Sequence, residues 1–314
     1  MSDEEKKISE EEEVLNHLGA IETLSTLLNS LLEQAKQNVQ ESLETFVSDK
    51  VRQLGQAIGG YFKCFNALHV MTRQELESKW KACYQNRDVC ETVDNLFEVE
   101  ESWNDFLRNV DEKLDGGVVT GGPPVVVGST APLDITLFNI DTESPTTLSD
   151  FNIGSNNLLL NARQEFENIR TKVAVVSFGS QEKAIAWKKD TKCEFPMLLD
   201  ADRRLYVALG LKRSVSKVWA ISSLVYYAEQ KLAGRKLLSM LDEDDPHQLG
   251  GDFIIDSTGK LVLVYQSKTS TDRPSPRVCL VCTSTLLYGT PLSTNQDELR
   301  PKLSFSLIPA QVSL

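Results

Sequence analysis

The run from Asn157 to Phe178 constrains the fold of this chain more than any other. Leu158, Leu159 and Leu160 make a continuous apolar stretch of the kind that buried strands show, and Val173-Ala-Val-Val-Ser-Phe178 makes a second. Between them, Ala162 to Arg170 reads as a short helix with Phe166 and Ile169 as its apolar positions. Strand, helix and strand in this order predict a parallel pair joined by a crossover, which needs at least about 10–12 residues. Asn161 to Lys172 supplies 12, the lower limit. Ligand and reaction sites in open α/β sheets gather in the loop after the carboxyl end of a strand. Here that loop is almost absent.

The flanking sequence extends the alternation. Ile135 to Ile140 alternates like a half-buried strand, and Asp141 to Pro145 turns. Gln181 to Lys192 makes an amphipathic helix with Ala184, Ile185 and Trp187 inward. Phe195 to Asp200 is a short strand, Arg203 to Leu209 a helix, and Val218 to Leu238 a longer one. Asp252 to Asp256 and Leu261 to Tyr265 form a hairpin whose turn is built on Gly259. Parallel strands with crossover helices, then an antiparallel hairpin at the edge, predict an α/β domain over residues 131–275.

Residues 1–115 read differently. Apolar residues at Val14, Leu18, Ile21, Leu24, Leu28, Leu31, Ala35, Val39, Leu43 and Phe46 fall at steps of three or four and paint one face of a long helix. Further helices are predicted over Val51 to Leu68, Thr72 to Tyr84 and Cys90 to Leu114. Thr72 with Glu75 has the form of a capping box, and Gly55, Gly59 and Gly60 mark a bend or a close helix crossing. These elements predict an antiparallel bundle that fills its own core; the alternative is a Leu24–Leu43 face that pairs with a second chain. This acidic helical domain carries 24 acidic and 12 basic side chains, so the whole net charge of −12 belongs to it. An acidic domain repels phosphate backbones, and no basic stripe lies elsewhere, so nucleic acid is not an expected partner.

A Gly/Pro-rich linker over 116–130 separates the two domains. The tail, 276–314, contains Pro276, Pro291, Pro301 and Pro309 and is expected to be disordered and to add nothing to the melting temperature of the α/β domain. No run of 18 apolar residues is present and no apolar stretch follows the charged N-terminus, so neither a membrane span nor a signal peptide is expected. The six cysteines, Cys64, Cys83, Cys90, Cys193, Cys279 and Cys282, then read as reduced thiols in the cytoplasm. His17, His69 and His247 show no metal-ligand spacing, and no metal or other cofactor is expected.

Phe195-Pro-Met-Leu-Leu-Asp-Ala-Asp-Arg-Arg-Leu-Tyr206 resembles the segment of peroxiredoxins in which a Phe-Pro strand precedes an Asp-rich turn and a Tyr-containing helix. Ala131-Pro132 with Thr147-Leu-Ser-Asp150 is similar to the opening hairpin of that family, and Gly250-Gly-Asp-Phe-Ile-Ile-Asp256 with Gly259 to its closing hairpin. The helix between Val218 and Leu238 resembles the AhpC/TSA-like branch, and the long acidic helical N-terminus its selenoprotein L-like members. The resemblance covers residues 129–275 best and implies a thioredoxin-like fold and an antioxidant thiol or selenol oxidoreductase role.

The resemblance also implies where the reactive pair would sit: Cys-x-x-Cys, or its selenocysteine equivalent, between the first buried strand and its helix. A thiolate or selenolate is the nucleophile there, and a helix N-terminus helps to lower its pKa. In this chain Leu160 is followed by Asn161-Ala162-Arg163, with no Cys, Ser or Thr before Thr171. No catalytic residue carries over. Cys193 is expected to be a small buried residue, and Cys279-Leu-Val-Cys282 has redox spacing but lacks a preceding strand and a helix to cap. The sequence therefore leaves two classes of function: a redox protein of thioredoxin-like fold, or a non-catalytic interaction protein whose helical domain binds a protein partner or a second copy.

Overall fold

The computed structural model describes residues 3–83, 85–115, 125–152, 171–235, 237, 245–273 and 302–307. Five helices come first: α1 (Asp3–Glu41), α2 (Leu43–Ser48), α3 (Gln56–Ala67), α4 (Arg73–Ala82) and α5 (Arg87–Asp115), with a 3-10 turn at Lys50–Gly55. Strands β1 (Leu137–Asn139), β2 (Ser144–Thr146) and β3 (Thr171–Ser177) follow, then α6 (Gln181–Asp190), β4 (Met197–Leu199) and α7 (Arg204–Ala208). Two further helices, α8 (Val215–Val218) and α9 (Ile221–Leu232), precede β5 (Gly251–Ile255) and β6 (Leu261–Gln266), and β7 (Lys302–Leu307) comes last.

Two units emerge. The helical unit comprises α1 to α5 together with α8 and α9; the sheet unit holds every strand with α6 and α7. The domain boundaries expected from sequence assign residues 214–242 to the α/β domain, whereas their described helices cluster with the first five. The reason lies in the caps. Asp111 on α5 accepts hydrogen bonds from Val215 N–H at 2.7 Å, Ser216 N–H at 3.0 Å and the Ser214 hydroxyl at 2.7 Å. Trp103 Nε1 donates to the Trp219 carbonyl at 3.0 Å, and Asn104 Oδ1 accepts from Ile221 N–H at 3.1 Å. These bonds satisfy backbone groups that helix ends leave open. The single helix expected over Val218 to Leu238 is interrupted here: α8 ends at Val218 and α9 begins at Ile221, with the Trp219 carbonyl and the Ile221 N–H bonded to α5.

The apolar face of α1 serves this bundle. Ile21, Leu24 and Leu28 are at most 1% exposed, and α1 packs on α3 and α5. Each such side chain stabilises the bundle by roughly 1.5–3 kcal/mol, a gain a coiled coil with a second chain would have to replace. Gly60 permits the α1–α3 crossing: a Cβ there would lie 2.6 Å from Leu27 Cδ2 and 3.1 Å from Leu24 Cδ1. The capping box forms with one change of partner. Thr72 Oγ1 accepts from Glu75 N–H at 3.2 Å, while the Glu75 carboxylate accepts from Met71 N–H at 2.7 Å.

The sheet order is β2-β1-β4-β3-β7-β5-β6. β3 and β4 run parallel across α6, with Val175 opposite Met197 and Ser177 opposite Leu199. β5 and β6 form the expected hairpin, turned through Gly259 at φ +79°. Successive β3 residues alternate between two apolar clusters: Ala174 and Val176 join Leu198, Tyr206, Phe253 and Ile255, whereas Val175 joins Ile140, Phe195 and Met197. Burial on both faces explains the continuous apolar run read from Val173 onward.

The tail expectation fails at Lys302–Leu307. This segment is a strand inside the sheet, parallel to β3 from Thr171↔Lys302 to Val176↔Leu307 and antiparallel to β5 from Gly251↔Leu307 to Ile255↔Leu303. Its sequence, Leu303-Ser-Phe-Ser-Leu307, has the period of two that strands require, but the prolines around it masked the signal. The strand expected at Leu158–Leu160, the helix after it, and Cys279 and Cys282 lie outside the described residues.

Candidate functional site

The resemblance places a reaction site at the carboxyl ends of the parallel strands, so the described residues there bear most directly on function. β4 ends in Asp200, which is buried and faces the first turn of α7. Its carboxylate accepts N–H bonds from Arg204 at 3.0 Å, Leu205 at 2.8 Å and Tyr206 at 3.1 Å. Burial raises the Asp200 pKa, and the three N–H donors oppose the rise. The Tyr206 hydroxyl donates to the Val176 carbonyl at 3.1 Å, and its ring meets Phe178 edge-on at 5.3 Å. This helix N-terminus is thus filled by a carboxylate of the chain itself, where a thiolate would need it free.

Two of the described thiols, Cys64 and Cys193, are made less acidic by their surroundings. Burial pushes Cys64 up to about 12, with Glu100 adding to the rise and Arg73 opposing it. Burial also raises Cys193, which is half-buried at the end of α6. Reactive cysteines show the opposite direction, because the thiolate is the nucleophile.

A second polar centre lies within the helical unit. Glu100 sits on the buried face of α5, between Leu96 and Trp103, and is 8% exposed. Arg73 reaches it in a two-pronged ion pair, Nη1 to Oε1 at 2.7 Å and Nη2 to Oε2 at 2.9 Å, and donates a third bond to Glu77 at 2.9 Å. The Tyr61 hydroxyl donates to Glu100 Oε1 at 2.6 Å. Arg73 also stacks on Trp80 and Phe97, at 5.1 and 5.3 Å from the ring centres. Burial works against the Arg73 charge, but Glu100 outweighs it and the pKa rises. Burial and the Glu100 carboxylate together hold the Tyr61 hydroxyl well above its ordinary value.

Sequence reasoning did not single out this centre, although one signal was available. Leu96, Glu100, Trp103 and Leu107 follow one another at steps of four, three and four, so a lone carboxylate interrupts an apolar face. A cleft of about 630 Å³ opens beside the centre, lined by Arg73, Glu100, Asn104, Arg108, Tyr226 and Glu229 among others. Arg73 N–H bonds Glu229 at 2.8 Å, Asn104 caps α9, and Arg108 pairs with Asp105. Arg73, Glu100, Asn104, Arg108 and Glu229 are thus each held by a neighbouring group.

In the sheet unit, Asp245 forms ion pairs with Arg203 and Arg213, and lies 3.1 Å from His247 Nδ1. Two guanidinium groups on one carboxylate make it a poor metal ligand. Among the described residues, no group of three or more His, Cys, Asp or Glu side chains is placed to hold a metal ion, and no helix is long and apolar enough to cross a membrane.

Comparison with known proteins yields one match. No curated protein and no solved structure matches the chain. Residues 159–269, which run from the expected first strand through the β5–β6 hairpin, match the AhpC/TSA antioxidant enzyme family and support a peroxiredoxin-like, thioredoxin-fold assignment for this part of the chain.

Proposed function

We propose that this chain is a peroxiredoxin-like protein of the selenoprotein L type that keeps the sheet of a thiol or selenol oxidoreductase without its reactive pair, and that it acts by binding a protein partner. One observation carries the reading: Asn161 to Arg170, directly after the expected first strand, contains no Cys, Ser or Thr. The raised pKa values of Cys64 and Cys193 support it, since burial lowers the thiolate fraction of both. Binding falls to the helical domain, which carries the whole net charge of the chain.

The redox spacing of Cys279 and Cys282 favours a second reading, in which the chain reduces disulfides through that pair. One experiment separates the two. The purified chain is assayed with hydrogen peroxide and with insulin, beside a variant in which all six cysteines are serine. Equal rates in both proteins are the expected result. A rate abolished by Cys279→Ser or Cys282→Ser moves the function to the tail pair.

A further inference from the structure

The last described strand, β7, lies inside the sheet, between β3 and β5. Thirty-five residues, 267–301, separate β7 from β6, and β7 lies beyond the family match at 159–269. The strands that wall it belong to hydrogen-bonded sets of their own: β3 to β2-β1-β4-β3, and β5 to the β5–β6 hairpin. Both walls also meet in one apolar cluster, through Ala174 and Val176 on β3 and Phe253 and Ile255 on β5. The walls thus have supports other than β7. Two parallel edges of backbone N–H and C=O groups, held apart by the width of one strand, are what strand addition requires.

We propose that the slot between β3 and β5 is a binding site for an extended peptide, filled here by the chain's own Lys302–Leu307 as an exchangeable occupant. Six register pairs with β3 and five with β5 give affinity through the main chain. Selectivity follows from sequence: the occupant alternates Leu303, Phe305 and Leu307 with Ser304 and Ser306 and carries no acid. On the β5 wall the residue opposite Leu307 is Gly251, where a Cβ would lie 2.6 Å from the Tyr265 carbonyl oxygen, so that wall carries no side chain at that end, while Val176 faces Leu307 from the β3 wall. The occupant is covalently part of the chain, so a free peptide competes with an intramolecular strand and enters only when that strand is weakened.

The test uses the full-length chain and a fluorescent synthetic peptide spanning residues 300–309. Phe305→Pro in the chain removes a ladder donor from a central strand and weakens the resident occupant. The variant is expected to take up the peptide saturably and at least tenfold more tightly than the unsubstituted chain. The same peptide carrying proline at its Phe305 position should not bind. Uptake by the variant no better than by the unsubstituted chain overturns the proposal. Hydrogen exchange on the unsubstituted chain decides independently of whether the variant folds. Amides of 302–307 should open ahead of those linking β3 to β4 and β5 to β6, and a single common opening for all of them overturns the proposal.

Discussion

The two units bury a carboxylate by different means. Glu100 of the helical unit is neutralised by a guanidinium and a phenol, whereas Asp200 of the sheet unit is held by three backbone N–H groups of α7. A buried ion pair is costly to break, because removing one partner leaves the other charge unsolvated. A carboxylate cap shares its load among donors that water can partly replace. Loss of the Glu100 carboxylate should therefore cost more than loss of the Asp200 carboxylate.

The largest expected effect follows from that asymmetry. Glu100→Ala leaves Arg73 and Tyr61 without their shared acceptor and should cost about 3–5 kcal/mol. Urea unfolding followed by tryptophan fluorescence reads it, since Trp80, Trp103 and Trp219 all belong to the helical unit. A loss below about 1 kcal/mol would mean that Arg73 relaxes into solvent and that the contrast between the units is false.

The sheet counterpart is the tail. Removing residues 276–314 should lower the melting temperature of the sheet unit by several degrees, because β7 bonds two neighbouring strands. An unchanged value would restore the expectation, drawn from the sequence, of a tail that contributes nothing. Asp200→Ala should cost less than Glu100→Ala, about 1–2 kcal/mol, as loss of a cap does. Denaturant midpoints of the two variants rank them directly, and the reverse ranking would invert the comparison.

Alkaline pH should separate the units more gently. Cys64 and Tyr61 are neutral when protonated, and both fold with raised pKa values, Cys64 at about 12. Their stability is fully present below the unfolded thiol value of about 8.5 and is lost as pH rises toward 12. The helical unit should weaken over that window, and Cys64→Ala should flatten the decline. The smallest effect belongs to Asp150, which is fully exposed and whose pKa is lowered by the Thr147 N–H and hydroxyl. Its contribution is present above the unfolded carboxylate value and fades as pH falls through the folded one, so Asp150→Asn should make acid unfolding slightly less steep. An unchanged acid limb would show that the Thr147 bonds are not held in solution.

Much of the architecture was legible from local pattern. Steps of three and four residues located the face of α1 at Ile21, Leu24, Leu28 and Ala35, although Leu32 and Asn38 are buried in place of the expected Leu31 and Val39 and the helix ends at Glu41; alternation with Gly259 located the β5–β6 hairpin. Thr72 marked the start of α4 because capping needs only neighbours in sequence. What escaped notice has distant partners. Glu100 pairs with Arg73, 27 residues away, and Asp111 caps α8 more than 100 residues later. No local window holds both ends of such a bond.

The sequence by itself located most helices of residues 1–115, the β5–β6 hairpin, the acid excess of residues 1–115, and the lack of a Cys, Ser or Thr nucleophile between Leu160 and Thr171. These depend on residue identity and short spacing, which the chain carries whatever its partners. Only the tertiary structure decided that α8 and α9 join the helical unit and that Lys302–Leu307 lies inside the sheet between β3 and β5. The strand period tells which segments can extend and which side chains alternate, but strand neighbours are chosen by backbone hydrogen bonds that every residue except proline can make. The alternation of Leu303, Phe305 and Leu307 with serines therefore marks a segment able to extend but not its place between β3 and β5.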